Sequence, residues 1–261
     1  MDLSVVIPVK DEADNIVPLA NEIRAALDGL VEYEVIYVDD GSVDSTATAI
    51  LRLQNSMERI RLLRHATNCG QSAAIRTGVR AARGVWVATL DGDGQNDPAD
   101  LPALWHLARR APAHPPLLIT GYRQKRRDHW PKRCASRLAN VIRRRLLGDG
   151  TPDTGCGLKL FPRSLFLDLP YFNHMHRFFP ALVLREGGAV RSLPVNHRPR
   201  LRGRSKYGVL DRLWVGIIDL LGVMWLQQRA THPCLLDETP GASDTIAAPV
   251  VSVPVESLPT Y

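Results

Sequence analysis

The sequence predicts an α/β protein: a Rossmann-like, mixed but mostly parallel sheet with helices on both faces. Three observations predict it. Short apolar runs alternate with helical patterns through the first half of the chain. Those runs lack a polar alternation, as strands covered on both faces do. Acidic or glycine-containing turns follow several runs at their carboxyl ends, where open α/β sheets bind ligands.

The elements follow in order. Leu3 to Ile7 is an apolar run stopped by Pro8 and reads as a buried strand. Asn15 to Leu27 places Ile16, Leu19, Ile23 and Leu27 at helical spacing, with Gly29 as a stop signal. Tyr33 to Val38 is a second strand, and Asp44 is placed to cap a helix running to about Gln54. Ile60 to Leu63 is a third strand. Gln71 to Ala82 is a helix rich in small residues, with Gly84 as its C-cap. Val85 to Leu90 is a fourth strand ending at Asp91, Asp100 to Arg109 is helical, and Leu117 to Thr120 is a fifth strand.

The second half is less regular. Pro131 to Leu147 reads as a basic helix, Asp153 to Gly157 as a glycine-rich turn and Leu158 to Phe161 as a strand. Arg177 to Glu186 reads as a helix, Ala189 to Val195 as a strand, Arg198 to Tyr207 as a basic loop and Val209 to Gln228 as a long apolar helix. Beyond Thr231, Pro, Ser, Thr and Val dominate without a helical period, so residues 231–261 are expected to be a disordered tail.

Composition bounds the function. The 261 residues are 45% hydrophobic and 23% charged, ordinary for a globular chain with one sizeable core. Four cysteines without a Cys-x-x-Cys pair signal neither a zinc site nor a disulfide framework, and are expected to be reduced. The N-terminus lacks the pattern of a signal peptide. Val209 to Leu226 carries Asp211, Arg212 and Asp219, too polar for a membrane span but suited to a buried or interfacial helix.

The net charge is +6, and much of it is concentrated. From Arg123 to Arg145 the cations run Arg123, Lys125, Arg126, Arg127, Lys132, Arg133, Arg137, Arg143, Arg144 and Arg145, opposed only by Asp128. Such a field suits an anionic partner: a phosphorylated substrate, an anionic membrane surface or nucleic acid. Aromatic residues for base stacking are scarce around it, which argues against nucleic acid.

Four motifs carry chemistry. Asp91-Gly92-Asp93-Gly94-Gln95 follows an apolar strand; two carboxylates one residue apart, with glycines between and after, suit Mg²⁺ or Mn²⁺ shared with substrate phosphates. Val38-Asp39-Asp40-Gly41-Ser42 offers carboxylates to a base or ribose, although such turns also occur without a ligand. Pro8-Val9-Lys10-Asp11-Glu12 follows the first strand and alone is an ordinary loop. Asn68-Cys69-Gly70-Gln71, with Arg76 behind it, opens a helix as either a phosphate contact or a simple cap.

Together, over residues 2–122, these motifs resemble the family 2 glycosyltransferases of GT-A fold. Gly121-Tyr122-Arg123, the stretch Arg133 to Asn140, Asp153 to Lys159 and Arg200 to Tyr207 are similar to the dolichol-phosphate mannosyltransferase branch, which includes polyprenyl-phosphate sugar transferases. The resemblance implies a GDP- or UDP-linked sugar donor, a lipid-phosphate acceptor and a Mg²⁺ or Mn²⁺ ion. It implies a domain over residues 1–230, with a donor half to 122 and an acceptor half from 123. Many members carry C-terminal transmembrane helices, whereas here one amphiphilic segment is followed by a polar tail.

The expected site follows. Asp91, Asp93 and Gln95 hold the metal, with Asp93, Arg202 and Lys206 acting on the departing diphosphate. Pro8, Val9, Glu12, Asp39, Asp40, Asn68, Gly70, Arg76, Asp91 and Gly92 surround the donor nucleotide. Arg123, Arg133 and Ser136 grip the acceptor phosphate. Single displacement predicts inversion at the anomeric carbon. The enzyme is expected at the cytoplasmic face of a membrane, as a peripheral protein. A GT-A enzyme using a saccharide or other non-lipid acceptor is the alternative.

Overall fold

The computed structural model describes residues 1–123, 143–199 and 210–231, with only the backbone of 210–214. Seven strands form one sheet: β1 (Leu3–Val9), β2 (Tyr33–Asp39), β3 (Ile60–Arg64), β4 (Trp86–Thr89), β5 (Leu117–Arg123), β6 (Lys159–Pro162) and β7 (Ala189–Val195). Their order is β3-β2-β1-β4-β6-β5-β7. β6 runs antiparallel to both β4 and β5, and every other pairing is parallel.

The helices are α1 (Ala13–Leu27), α2 (Thr46–Gln54), α3 (Gln71–Ala81), α4 (Leu101–Arg110), α5 (Arg163–Asp168), α6 (Phe179–Arg185) and α7 (Leu210–Gln228). They divide between the faces because successive strand side chains point opposite ways. Leu3, Val5 and Ile7 of β1 join Ile16, Ile23, Ile50 and Leu104 in one core. Val6, with Ile36 and Val38 of β2, joins Val79, Phe166, Leu182 and Val223 in the other.

Three local readings change. β1 does not stop at Pro8 but runs on to Val9. β4 pairs β1 only as far as Val6, so the missing proline N–H falls where that neighbour has ended. Gly84 is not a C-cap; a Cβ there would lie 2.6 Å from Ser4 N, so the residue is small to let the chain pass β1. Arg163–Asp168 forms a short helix that no periodicity announced. Small residues on α3 do serve close packing, since a Cβ at Gly78 would strike Val6 and Val38.

Among the described residues no helix is long and apolar enough to cross a membrane. α7 has two apolar sides instead of one. Val223 is fully buried, with Leu220, Met224 and Leu226 against the core. Ile218, Leu221 and Trp225 lie 66%, 59% and 57% exposed at helical spacing.

Candidate active site

Strands β1, β2 and β4 end on one edge of the sheet, and a cavity of about 790 Å³ opens there. Pro8, the Asn68–Gly70 turn and Asp91 line one side. Gly157, Lys159 and His176 line the other, and Val215 of α7 reaches the cavity from the second half of the chain.

The acidic turn is held from several directions. Asp91 N donates to Oδ1 of Asn96 across 3.0 Å, and Gln95 N donates to Oδ1 of Asp93 across 3.1 Å. Gly94 takes φ 72°, which only glycine adopts cheaply. Gln71 at the start of α3 donates its amide to Asp91 Oδ1 across 2.9 Å. A Cβ at Gly157 would fall on the Asp91 carboxylate, and one at Gly92 would lie 2.5 Å from Val9 Cγ1 and 3.0 Å from Pro8 O. The turn is therefore seated tightly between β1 and the 154–157 segment.

Burial pushes the Asp91 carboxyl up to about 6, and the negative charge of Asp93 pushes the same way. Lys159, Arg123 and the Gln71 amide pull it back only in part. A buried carboxylate whose charge is disfavoured by burial and by a neighbouring carboxylate fits a hard divalent cation. Gln95 is tied to the 198 segment: its side-chain amide nitrogen faces Arg198 O at 3.5 Å, and its backbone carbonyl accepts from Arg198 N at 3.0 Å. Arg198 in turn pairs with Glu22 at 2.8 Å and Asp97 at 2.5 Å, so this part of the expected basic loop is tied to the fold.

The expected donor residues divide. Pro8, Asn68 and Gly70 line the cavity with Asp91, and Val9 backs Gly92. Asp39 accepts from Ser42 N at 3.0 Å and pairs with Arg64 at 3.5 Å. Asp40 is occupied: its oxygens accept from Cys69 N and Gly70 N, each at 2.8 Å, and meet His65 Nδ1 at 2.7 Å. It shapes the Asn68–Gly70 turn, with Gly70 at φ 88°. Asp40, His65 and Cys69 bring possible ligand atoms within 4.8 Å of one another, but both His65 nitrogens are already engaged, the second by Thr77. Glu12 accepts from Asn15 Nδ2 at 2.6 Å at the start of α1. Arg76 is not brought to the cavity, because its guanidinium stacks 4.2 Å over Tyr171.

The basic stretch divides too. Arg123 forms a two-pronged pair with Asp153, Nε to Oδ2 at 2.6 Å and Nη2 to Oδ1 at 2.8 Å. Burial works against that guanidinium's charge, but Asp153 outweighs it and holds the pKa above its ordinary value. Arg143 is buried against Asp149 at 3.2 Å, and donates to Thr151 O and to Thr154 Oγ1. The sequence window that showed only Asp128 as a counter-charge ended just short of these partners. Arg133, Ser136, Arg202 and Lys206 lie outside the described residues.

Asn96 and His176 escaped the sequence reading, while Gln71 and Lys159 stood inside its motifs without a role of their own. Lys159 left a signal, a charge inside an apolar run. It is buried and donates to the carbonyls of Cys156 and Thr154. Burial depresses its pKa. His176 bonds Ser72 across 104 residues of sequence, which no local pattern announces.

The fold and this edge define an α/β enzyme of GT-A architecture. Residues 4–169 match the family described as Glycosyl transferase family 2, and the chain belongs to it. It is 34% identical to a dodecaprenyl-phosphate galacturonate synthase of Rhizobium johnstonii, over 89% of this chain and 69% of that protein. It is 35% identical to an undecaprenyl-phosphate 4-deoxy-4-formamido-L-arabinose transferase of Edwardsiella ictaluri, over 80% of this chain but only 63% of that protein. A glucosyl-3-phosphoglycerate synthase from Mycobacterium tuberculosis, crystallised with Mn²⁺, UDP-glucose and glycerol 3-phosphate, superimposes with TM-score 0.62 at 18% identity. That match covers 88% of this chain and 81% of that one.

Proposed function

We propose that the protein transfers a sugar from a GDP- or UDP-linked donor to a polyprenyl phosphate, with inversion, at the cytoplasmic face of a membrane. One observation carries the reading: a single cavity joins the Asp91 carboxylate to Val215 on a helix with an exposed apolar side. A polar, anion-handling end and an apolar rim are what a lipid-linked phosphate acceptor requires. The relatives named for polyprenyl-phosphate products support it.

Asp91 and Asp93 would hold Mg²⁺ or Mn²⁺, which when bound supplies positive charge beside the departing diphosphate. Pro8 and the Asn68–Gly70 turn bound the donor end of the cavity. The acceptor's phosphate oxygen is already ionised near neutral pH, so attack on the anomeric carbon needs no strong base. One carbon–oxygen bond forms as that to the diphosphate breaks. Arg133 and Ser136 are assigned to the acceptor phosphate, and Arg202 and Lys206 to the diphosphate. Residues 1–122 form the donor half and 123–230 the acceptor half. The exposed side of α7 rests on the bilayer.

The test is a panel of radiolabelled nucleotide sugars, UDP-galacturonate, UDP-glucose and GDP-mannose among them, with undecaprenyl phosphate and Mn²⁺ or Mg²⁺. Label extracted into the organic phase, and lost on Asp93→Ala, is the expected result. Label passing only to soluble acceptors would overturn the lipid assignment.

A further inference from the structure

The cavity is lined by several polar side chains that the proposed reaction has not used, among them Lys159, His174, His176 and Arg177. His176 lies on its wall, on the turn before α6. Its Nδ1 stands 2.7 Å from Ser72 Oγ, and its own backbone N–H donates to that same oxygen at 3.4 Å. The hydroxyl oxygen accepts from the backbone and is free to give its own proton to Nδ1. The ring then carries its hydrogen on Nε2. Among the described residues nothing bonds Nε2.

Ser72 directly follows Gln71, whose amide holds Asp91. Adjacent residues at the start of α3 thus hold the metal-side carboxylate and the imidazole, which face the same cavity. Lys159 and Arg177 line the cavity as well. Burial and these cations keep the ring neutral, with its pKa lowered to about 3. A cation is suited to phosphate. A neutral N–H beside such cations is suited to an uncharged oxygen.

Resting on the transferase reading above, we propose that His176 donates a hydrogen bond from Nε2 to a hydroxyl oxygen of the transferred sugar, with Ser72 as its positioning residue. The nucleotide and diphosphate are held elsewhere, so His176 discriminates a donor carrying its sugar from the bare nucleotide.

The test compares His176→Phe, which fills the space without a donor, with His176→Gln, whose amide keeps one. For the nucleotide sugar that the panel identifies, His176→Phe is expected to raise KM by roughly ten-fold, the scale of one neutral hydrogen bond. Inhibition by the matching free nucleoside diphosphate stays within about two-fold, since that probe lacks the sugar oxygen. His176→Gln recovers most of the loss, and Ser72→Ala gives a smaller change of the same kind. Equal weakening of nucleotide and nucleotide sugar, or no recovery by Gln in a variant that melts like the wild type, would overturn the assignment. Absence of sugar transfer by the wild-type chain would instead sink the transferase reading itself.

Discussion

The side-chain amide of Gln71 donates to Asp91 Oδ1 across 2.9 Å, joining the first residue of α3 to the carboxylate at the tip of β4. This bond favours the ionised form of a carboxyl that burial and Asp93 push up to about 6. Removing it raises that pKa further. A proton and a divalent cation compete for the same oxygens, so the metal-free site loses cation affinity as pH falls through about 6. In Gln71→Leu the acid limb of Mn²⁺ titrations should move to higher pH, with the fold unchanged by circular dichroism. An unmoved limb would show that the amide does not act on Asp91.

Gly157 gives a sharper steric prediction. Its α-hydrogen side faces the Asp91 carboxylate with no room for a methyl group. Gly157→Ala must displace either the acidic turn or the 154–157 segment. A shift of about 1 Å in a positioned group commonly costs on the order of a hundred-fold in rate. Transfer should fall by that much, while the melting temperature changes little because the turn lies at the sheet's edge. Near wild-type turnover would mean that Asp91 is free to move without consequence.

The scaffold of this arrangement was legible because it is written in local spacing. Apolar runs ending at Asp39 and Asp91 placed the acidic turns at the right edge of the sheet before any coordinate was needed. Pairings between distant segments were not legible. Nothing near Arg123 marks Asp153 as its partner, and the positive charge of the 123–145 stretch read as one outward field. Arg123 and Arg143 turn inward because each can reach a carboxylate beyond the stretch. Arg76 similarly looked like part of the Asn68–Gln71 motif, yet its place on α3 carries it to Tyr171.

Arg123 and Asp153 therefore allow a test of anchor against acceptor ligand. Their side chains are only 16% and 9% exposed. Removing one partner alone leaves a buried charge, which costs roughly 3–5 kcal/mol, whereas replacing both by apolar groups is often close to neutral. Asp153→Leu should unfold at markedly lower urea, and Arg123→Met with Asp153→Leu should regain most of that stability. If Arg123 also grips the acceptor phosphate, the double variant stays inactive despite refolding. Recovery of transfer along with stability would make the pair structural only.

His176 predicts how the protein responds to acid. Its folded pKa of about 3 lies below the ordinary value of 6.5, so between these limits the unfolded chain binds the proton and the folded chain does not. The associated stability is complete above about pH 6.5 and is lost as pH falls toward 3. The slope is roughly 1.4 kcal/mol per pH unit at most. Urea midpoints measured from pH 7 to pH 4 should fall less steeply in His176→Gln than in the wild type. Parallel curves would show that the imidazole is solvated and titrates normally.

The exposed side of α7 supplies the last prediction. Ile218, Leu221 and Trp225 project from one side of a helix whose opposite side, through Val223, is fixed in the core. Arg229 lies 5.9 Å from the Trp225 ring, a pairing suited to the boundary between headgroups and acyl chains. Each large aliphatic side chain taken out of water adds about 1.5–3 kcal/mol, so two of them set an affinity change of well over ten-fold. Ile218→Glu with Leu221→Glu should abolish sedimentation with phosphatidylglycerol-containing vesicles. Transfer to a short, water-soluble prenyl phosphate should persist, because neither residue lines the cavity. Light scattering separates the other occupant of such a surface. If the wild type forms a dimer that the double substitution dissociates, while vesicle binding is unchanged, a second copy covers this side of the helix and the bilayer assignment fails.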